Sequence, residues 1–119
     1  MTAFRGFLIL IIAALGIYTA MVGVNHGWNL FPVFVGDLAA MTWAGQFNAD
    51  FTGFLLLSGL WLSWRHHFSP GGLALGIAGF FGGMMFLAPY LVSASFKANG
   101  DIRVLPLGPV RAAQTAGRP

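Results

Sequence analysis

Three long apolar stretches, separated by short polar breaks, dominate this chain. They cover residues 6–24, 47–64 and 72–96. Each has close to the roughly 20 apolar residues that a helix needs to cross a bilayer. The first contains no charged residue, the second stops at Arg65, and the third stops at Lys97. The pattern predicts an all-α integral membrane protein with three transmembrane helices.

The first stretch could also be a signal peptide, and the third is longer than a single span requires. The sequence ALG at 14–16 also resembles the cleavage site of a signal peptide, but we expect the first stretch to be kept as a membrane anchor. At about 1.5 Å per residue, the third stretch is longer than the hydrocarbon core is thick. We therefore expect it to tilt, or to bend at Pro89.

The segment between the first two stretches, HGWNLFPVFVGDLAAMTW, is apolar but contains a proline and an aspartate. A fourth span here would leave the next one too short to cross the membrane. Tryptophan prefers the headgroup level of a membrane, and Trp28 and Trp43 lie near the two ends of the segment. We therefore expect a short interfacial or re-entrant helix at about 30–44.

Composition also indicates a membrane environment. Of the 119 residues, 57% are hydrophobic and 8% are charged, whereas soluble domains carry about 25% charged residues. The net charge of +3 comes from scattered bases, which we assign to anionic headgroups rather than to nucleic acid. Because cysteine is absent, disulfides and thiolate metal sites are excluded. We expect the lipid bilayer as a partner and the bacterial cytoplasmic membrane as the location.

The predicted organisation is a transmembrane domain over residues 1–99 and an irregular basic tail over 100–119. Glycines, prolines and dispersed arginines leave no periodicity in the tail. Three spans would put Arg5 and Arg65 on one side of the membrane, and Lys97 and the tail on the other. Because cytoplasmic segments carry more Lys and Arg, we expect the tail to be cytoplasmic.

Two of the predicted helices carry faces of small residues. These are Ala13, Gly16, Ala20 and Gly23 in the first stretch, and Gly72, Gly76, Gly79 and Gly83 in the third. Small residues let helices approach closely in a membrane, where apolar surface alone gives no driving force for association. We expect the first and third helices to pack along these faces. The faces could equally serve another membrane subunit or a second copy of the chain.

A candidate polar site lies at the entrance to the second stretch. It combines Asp50, Asn48, Asp37, His26 and Lys97. A carboxylate at membrane depth is costly and normally pairs with a cation or faces water. Two structural roles are therefore open to Asp50, as a cap of the helix N-terminus or as the ion-pair partner of Lys97. A functional role, as a proton- or ligand-binding carboxylate, also remains open.

Adjacent histidines follow the second stretch, in the sequence WRHHFSPGG. At a helix end, His66 and His67 can satisfy the last carbonyl groups, and either could also ligate haem or a chlorophyll-type pigment. We predict no metal site, because His26 and the nearby aspartates match no ligand spacing. The sequence contains no glutamate, no phosphate-binding loop and no spaced nucleophile–base pair, so it favours a protein that is not an enzyme.

Four motifs follow one another in a fixed order: GWNLFPVF, FNADF, WRHHFSPGG and LAPYLVSASFKANG. With Asp50 in the second motif and a Gly-rich approach to Pro89, this order resembles a family of small bacterial membrane proteins catalogued as a domain of unknown function. The likeness covers roughly residues 6–100. It implies three spans and no activity, because none is assigned to that family.

Two functions from different classes remain open. The first is an accessory or structural subunit that packs through its Gly/Ala helix faces with a larger membrane complex or with itself. The second is a ligand-handling membrane protein, either a transporter component or an enzyme on a lipophilic substrate, with its site around Asp50 and Asp37. Trp28, Trp43 and Tyr90 would then form an apolar wall. The small-residue faces and the lack of catalytic motifs favour the first.

Overall fold

A computed structural model describes residues 1–116 as seven helices joined by short turns. They are α1 (Thr2–His26), α2 (Phe31–Ala40), α3 (Trp43–Arg65), α4 (Pro70–Gly82), α5 (Met84–Lys97), α6 (Val104–Leu107) and α7 (Pro109–Ala116). The prediction of an all-α chain is confirmed. The molecule is elongated, with extents of 53 × 27 × 25 Å.

Helix α1 is the one helix among the described residues that is long and apolar enough to cross a membrane. It runs for 25 residues, its apolar window has a mean hydropathy of 2.5, and only 11% of that window is buried within the molecule. The core helix of a soluble protein would be mostly buried. The length, composition and N-terminal position of α1 fit a membrane anchor, and they fit a signal sequence as well.

The prediction of three transmembrane helices is wrong. The second stretch lies in α3, which has 23 residues but is not apolar enough for a span, because its first turns contain Gln46, Asn48 and Asp50. The third stretch divides at Gly83 into α4 and α5, of 13 and 14 residues. At about 1.5 Å per residue, neither half covers the hydrocarbon core. The chain therefore breaks at Gly83 and not at Pro89, which lies inside α5.

A glycine reverses the chain between α4 and α5. Gly83 has φ 56° and ψ −141°, a conformation that residues with a side chain rarely adopt. Helix α4 runs back along α3, from Gly72 beside His66 to Gly83 beside Leu55. Helix α5 then returns along α3 until Lys97 lines the same cavity as His66. The third stretch is thus a helical hairpin, and both of its ends lie at the C-terminal end of α3.

The glycine face of α4 packs against α3, and not against the first helix as predicted. A Cβ atom added at Gly76 would lie 2.8 Å from the backbone oxygen of Gly59 and would also meet the Ser63 hydroxyl. One added at Gly79 would meet the side chain of Leu62. Only glycine allows two backbones to come this close. The two helices are therefore held together by direct backbone contact.

The small-residue face of α1 is largely uncovered, and α1 packs against α5 instead. No neighbouring atom lies within 4 Å of a Cβ atom built at Gly16, and Ala13 and Ala20 are exposed. Gly23 is covered, by the ring of Trp28 from the turn that follows α1. Within residues 1–116, the predicted packing of this face on the glycine face of the third stretch is therefore wrong.

The N-terminus of α1 meets the C-terminal end of α5. Arg5 donates to the Ser95 hydroxyl at 2.8 Å and to the Ser95 backbone oxygen at 3.0 Å, and its guanidinium lies 4.0 Å above the centre of the Phe96 ring. We call this the basic end of the molecule, because it gathers Arg5, Arg65, Lys97, Arg103 and Arg111. The prediction that Lys97 and the tail lie across the membrane from Arg5 is therefore wrong.

The segment after α5 is mostly helical, so the prediction of an irregular tail over 100–119 is wrong for its described part. Helices α6 and α7 cover 104–107 and 109–116, with a break at Gly108. They pack on each other, and α6 also packs on α5. Residues 117–119, including Arg118, lie outside the described residues.

The segment between α1 and α3 forms a separate short helix, as predicted. Helix α2 covers 31–40, within the predicted 30–44, and Pro32 lies in its first turn, where a missing N–H costs nothing. Met41 ends it with a left-handed φ of 54°, and α3 begins at Trp43. Helix α2 packs on α3. Its location at a membrane surface stays a prediction.

The substitution Gly76→Ala should destabilise the fold. Its methyl group would lie 2.8 Å from the Gly59 oxygen, so α4 would have to move away from α3. Overpacking of this kind costs about 1–3 kcal/mol. The midpoint of thermal unfolding, followed by circular dichroism in a mild detergent, should therefore fall.

Gly53→Ala is the matched control, because a Cβ atom at Gly53 meets nothing within 4 Å. Alanine is the better helix former by about 1 kcal/mol, so this variant should unfold at the same temperature as the wild type or higher. Equal unfolding temperatures for the two variants would contradict the close contact between α3 and α4.

Candidate functional site

Arg65 is a buried cation at the C-terminal end of α3, with 7% of the residue exposed. Its guanidinium donates to the backbone oxygens of Leu105 at 2.7 Å and Val104 at 3.0 Å, and to the Tyr90 hydroxyl at 2.7 Å. Within residues 1–116 no carboxylate pairs with it. A buried charge is costly unless it is hydrogen-bonded or paired, so these neutral oxygens compensate it.

These contacts also attach the C-terminal helices to α3. The carbonyl groups that Arg65 binds belong to α6, and the indole N–H of Trp61 donates to the neighbouring backbone oxygen of Pro106 at 3.0 Å. In α7, Arg111 donates to the backbone oxygen of Trp64, and its guanidinium lies 4.0 Å above the Trp64 ring. Side chains from the last two turns of α3 therefore determine where α6 and α7 lie.

A cavity of about 280 Å³ opens beside Arg65, where α3, α5 and the C-terminal helices meet. Its polar lining consists of Arg65, His66, Tyr90, Ser93 and Lys97, and we call it the basic cavity. The Tyr90 hydroxyl lies 2.7 Å from the Arg65 guanidinium and 2.5 Å from Nε2 of His66. Tyr90 thus links the buried cation to the imidazole.

The electrostatics of the basic cavity favour an anion. None of its lining residues carries a carboxylate, whereas Arg65 and Lys97 are cationic. Burial lowers the pKa of His66 below its ordinary value of 6.5, and neighbouring positive charges, that of Arg65 first, lower it further. Burial also raises the pKa of Tyr90, although Arg65 opposes the change. Charged and neutral donors arranged in this way suit a carboxylate or a phosphate.

The predicted polar site around Asp50 is only partly assembled. The Asn48 amide donates to the Asp37 carboxylate at 3.4 Å, so these two residues do meet where α2 packs on α3. Asp50 and His26 are exposed. Lys97 lies at the basic end, where it lines the basic cavity. The five predicted residues therefore do not form one site.

Neither structural role predicted for Asp50 is present. Helix α3 begins at Trp43, so Asp50 lies about two turns inside the helix and cannot cap its N-terminus. The predicted ion pair with Lys97 does not form, because the two residues lie toward opposite ends of α3. In the part of the chain that the structure describes, the one ion pair joins Arg103 and Asp101, at 3.0 Å.

His66 and His67 lie at the end of α3, as the WRHH break predicts. His66 is the C-cap of the helix, and its Nε2 lies 2.5 Å from the Tyr90 hydroxyl. His67 is exposed and has a left-handed φ of 59°. Among the described residues, no group of three or more His, Cys, Asp or Glu side chains could hold a metal ion. Ligation of haem or of a pigment by either histidine stays a prediction.

The basic cavity was not predicted from the sequence. The sequence placed Arg65 at a helix end and Tyr90 in an apolar wall near Asp50. Two signals were available, since Arg65 is the only charged residue between positions 51 and 96 and Tyr90 is the only tyrosine after Tyr18. Isolated polar groups in apolar segments tend to pair. Pairing these two, however, requires the reversal at Gly83, which hydrophobic periodicity does not indicate.

A larger and mainly apolar groove of about 620 Å³ lies next to the basic cavity, in the cleft between α3 and α5. Phenylalanine and leucine side chains of α3 line one wall, and Met84 and Leu87 of α5 line the other. Ser58 also lines the groove, and its hydroxyl is buried without a hydrogen-bond partner in the described structure. At one end, Trp61 packs edge-on to Tyr90, with ring centres 6.1 Å apart. We call this the apolar groove.

The pKa of His66 should lie below 6.5 in the folded protein, which an NMR titration of the imidazole would measure. Because the folded state then binds fewer protons at His66 than the unfolded chain, stability should fall as the pH drops from 6.5 toward the lower folded value. Lys97→Met removes one of the charges that lower the pKa and should raise it. Arg103→Met removes a charge outside the cavity and should leave it unchanged. A wild-type value at or above 6.5 would contradict the arrangement.

Comparisons of the chain with protein-family models, with curated proteins and with solved structures found no match. The resemblance to the family of unknown function therefore stays a prediction, and the three spans that it implies are overturned by the break at Gly83.

Proposed function

We propose that the protein is a small accessory subunit anchored by α1 in the bacterial cytoplasmic membrane. The observation that carries the proposal is the uncovered surface of α1. On this helix Ile17, Tyr18 and Met21 are 64%, 69% and 61% exposed. A continuous apolar surface of this kind is unusual on a protein that functions alone in water. Lipid and a partner helix would cover it.

The partner that we propose is a transmembrane helix of another membrane protein. Ala13, Gly16 and Ala20 leave a shallow channel along α1, where a second helix can approach closely enough for van der Waals packing. Helix α1 has 25 residues and α5 has 14. Because the two meet at Arg5 and Ser95, the last part of α1 extends beyond α5. This part offers a helix partner the least obstructed surface.

Arg5, which precedes the apolar part of α1, supports a cytoplasmic location for the N-terminus of that helix. Cytoplasmic segments next to a membrane carry an excess of Lys and Arg, and such residues are attracted to anionic headgroups.

The alternative of a ligand-handling site around Asp50 and Asp37 has less support. The hydrogen bond between Asn48 and Asp37 is a local contact between α2 and α3, and Asp50 is exposed. We therefore do not place a ligand there.

Ala13→Leu and Gly16→Leu should release the protein from its partner. A leucine side chain in the channel would hold the partner helix away and remove the close backbone packing. Neither substitution should disturb the chain itself, because the surface around these residues is open. Affinity purification of the full chain in a mild detergent, followed by identification of the co-purifying proteins, would measure the loss.

Ala14→Leu is the matched control, since Ala14 is also exposed but faces away from the channel on a helix of 3.6 residues per turn. It should leave the partner bound. If the same partner proteins co-purify in equal amounts with all three variants, the proposal is contradicted. A wild-type preparation that contains a dimer of this chain and no other protein would replace the accessory role by self-association.

Single-cysteine variants should report the orientation of α1, because the natural chain has no cysteine. Met41→Cys, at a position 90% exposed and beyond α1 in the chain, should react with a membrane-impermeant maleimide on intact cells. Thr2→Cys should react only after lysis. The reverse pattern would contradict the orientation, and loss of the Thr2→Cys peptide from the mature protein would identify α1 as a cleaved signal sequence.

A further inference from the structure

We propose that the cleft between α3 and α5 binds an anionic amphiphile, with its carboxylate or phosphate head in the basic cavity and its alkyl chain in the apolar groove. This inference concerns a different surface from the face of α1, so it can hold or fail independently of the accessory role.

The basic cavity has the chemistry that an oxyanion head requires. Arg65 is buried and has only neutral partners, and Lys97 lines the same space, whose lining residues include no carboxylate. The Ser93 hydroxyl completes a set of donors around the cavity. Hydrogen bonds from charged donors to a carboxylate or phosphate are roughly twice as strong as bonds between neutral groups. An anion would also neutralise a buried charge that the chain leaves without a counter-ion in residues 1–116.

The apolar groove has the size and lining that an alkyl chain requires. Its volume of about 620 Å³ falls within the usual range of about 300–1,000 Å³ for small-molecule sites. The lining is aromatic and aliphatic except for Ser58, whose hydroxyl is buried without a partner in the described structure. A peptide would bring backbone groups that this lining cannot satisfy. A hydrocarbon chain brings none.

The two spaces are consecutive along one cleft. Trp61 lines the groove and Arg65 lines the cavity, one helical turn further along α3. On the opposite wall, Leu87 lines the groove and Tyr90 lines the cavity, again one turn further along α5. A ligand that occupies both must therefore be apolar along most of its length and anionic at one end.

The competing explanation is that Arg65 only fastens α6 to α3. Lys97 separates the two explanations, because it lines the cavity but contributes nothing to the hydrogen bonds that hold α6. The substitution Lys97→Met keeps an aliphatic side chain and removes the charge. It should weaken anion binding without loosening the C-terminal helices.

The test uses the full chain in nanodiscs of zwitterionic phosphatidylcholine, titrated with dibromostearate at a pH where the acid is ionised. Bromine in the middle of the alkyl chain quenches tryptophan on contact, and Trp61 borders the groove. Wild-type protein should show saturable quenching that is lost in Trp61→Phe. In Lys97→Met the half-saturating concentration should rise about tenfold, as expected for the loss of one charge-assisted hydrogen bond.

Three controls separate the possible sources of the signal. Arg103→Met removes a positive charge outside the cavity and should bind dibromostearate like the wild type. Ser58→Leu fills the groove and should abolish saturable quenching, whereas Gly53→Leu, at an open position of α3, should not. The methyl ester of dibromostearate has the same chain without a charge, and it should quench without saturating. Circular dichroism would verify that every variant remains folded.

Two outcomes would overturn the proposal. Equal binding of the acid and its methyl ester, or equal binding by Lys97→Met and wild type, would mean that the groove is merely solvated by lipid and that Arg65 acts only on α6. Displacement of dibromostearate by inorganic phosphate at equal concentration would mean that the basic cavity binds free anions and that the groove takes no part.

Discussion

The close approach of α4 to α3 determines where the C-terminal half of the chain lies. Gly59 and Gly76 let the two backbones meet, and Gly83 then turns the chain so that α5 returns along α3. Without this reversal, a continuous helix would carry Tyr90 and Lys97 to the far end of the molecule. Side chains larger than hydrogen at the crossing would separate the helices and open the interior. The basic cavity therefore depends on glycine contacts that lie outside it.

Arg65 connects the packed helices α3 and α5 to the C-terminal helix α6. Because a buried guanidinium must find acceptors, and because no carboxylate reaches it within residues 1–116, it binds the carbonyl groups of α6 and the hydroxyl of Tyr90. A helix of four residues such as α6 has no stability of its own. Tertiary contacts from α3, including Trp61 to Pro106, order a segment whose glycines and prolines would otherwise leave it irregular.

The sequence was sufficient for local structure and insufficient for topology. Apolar periodicity, Pro32 and the WRHH break predicted the all-α class, α2 and the end of α3, because these features depend on neighbouring residues. Hydrophobicity could not distinguish one long helix from a hairpin, since both halves of 72–96 are apolar and the reversal depends on the backbone at Gly83. The Asn48–Asp37 contact could be predicted from the sequence because α2 and α3 are adjacent in the chain. The basic cavity could not be predicted, because it joins residues that meet only after the chain reverses at Gly83.

The two uncovered surfaces of the molecule differ in what can occupy them. The face of α1 is shallow, uncharged and lined by small residues, so it allows a second helix to pack closely and has no cation to bind an anion. The cleft is lined by large side chains and ends in Arg65 and Lys97. Helix α5 borders both surfaces, since it packs on α1 and forms one wall of the cleft, and the hydrogen bonds from Arg5 to Ser95 fix its position. The same helix can therefore support a protein contact on one side and hold a small anionic molecule on the other.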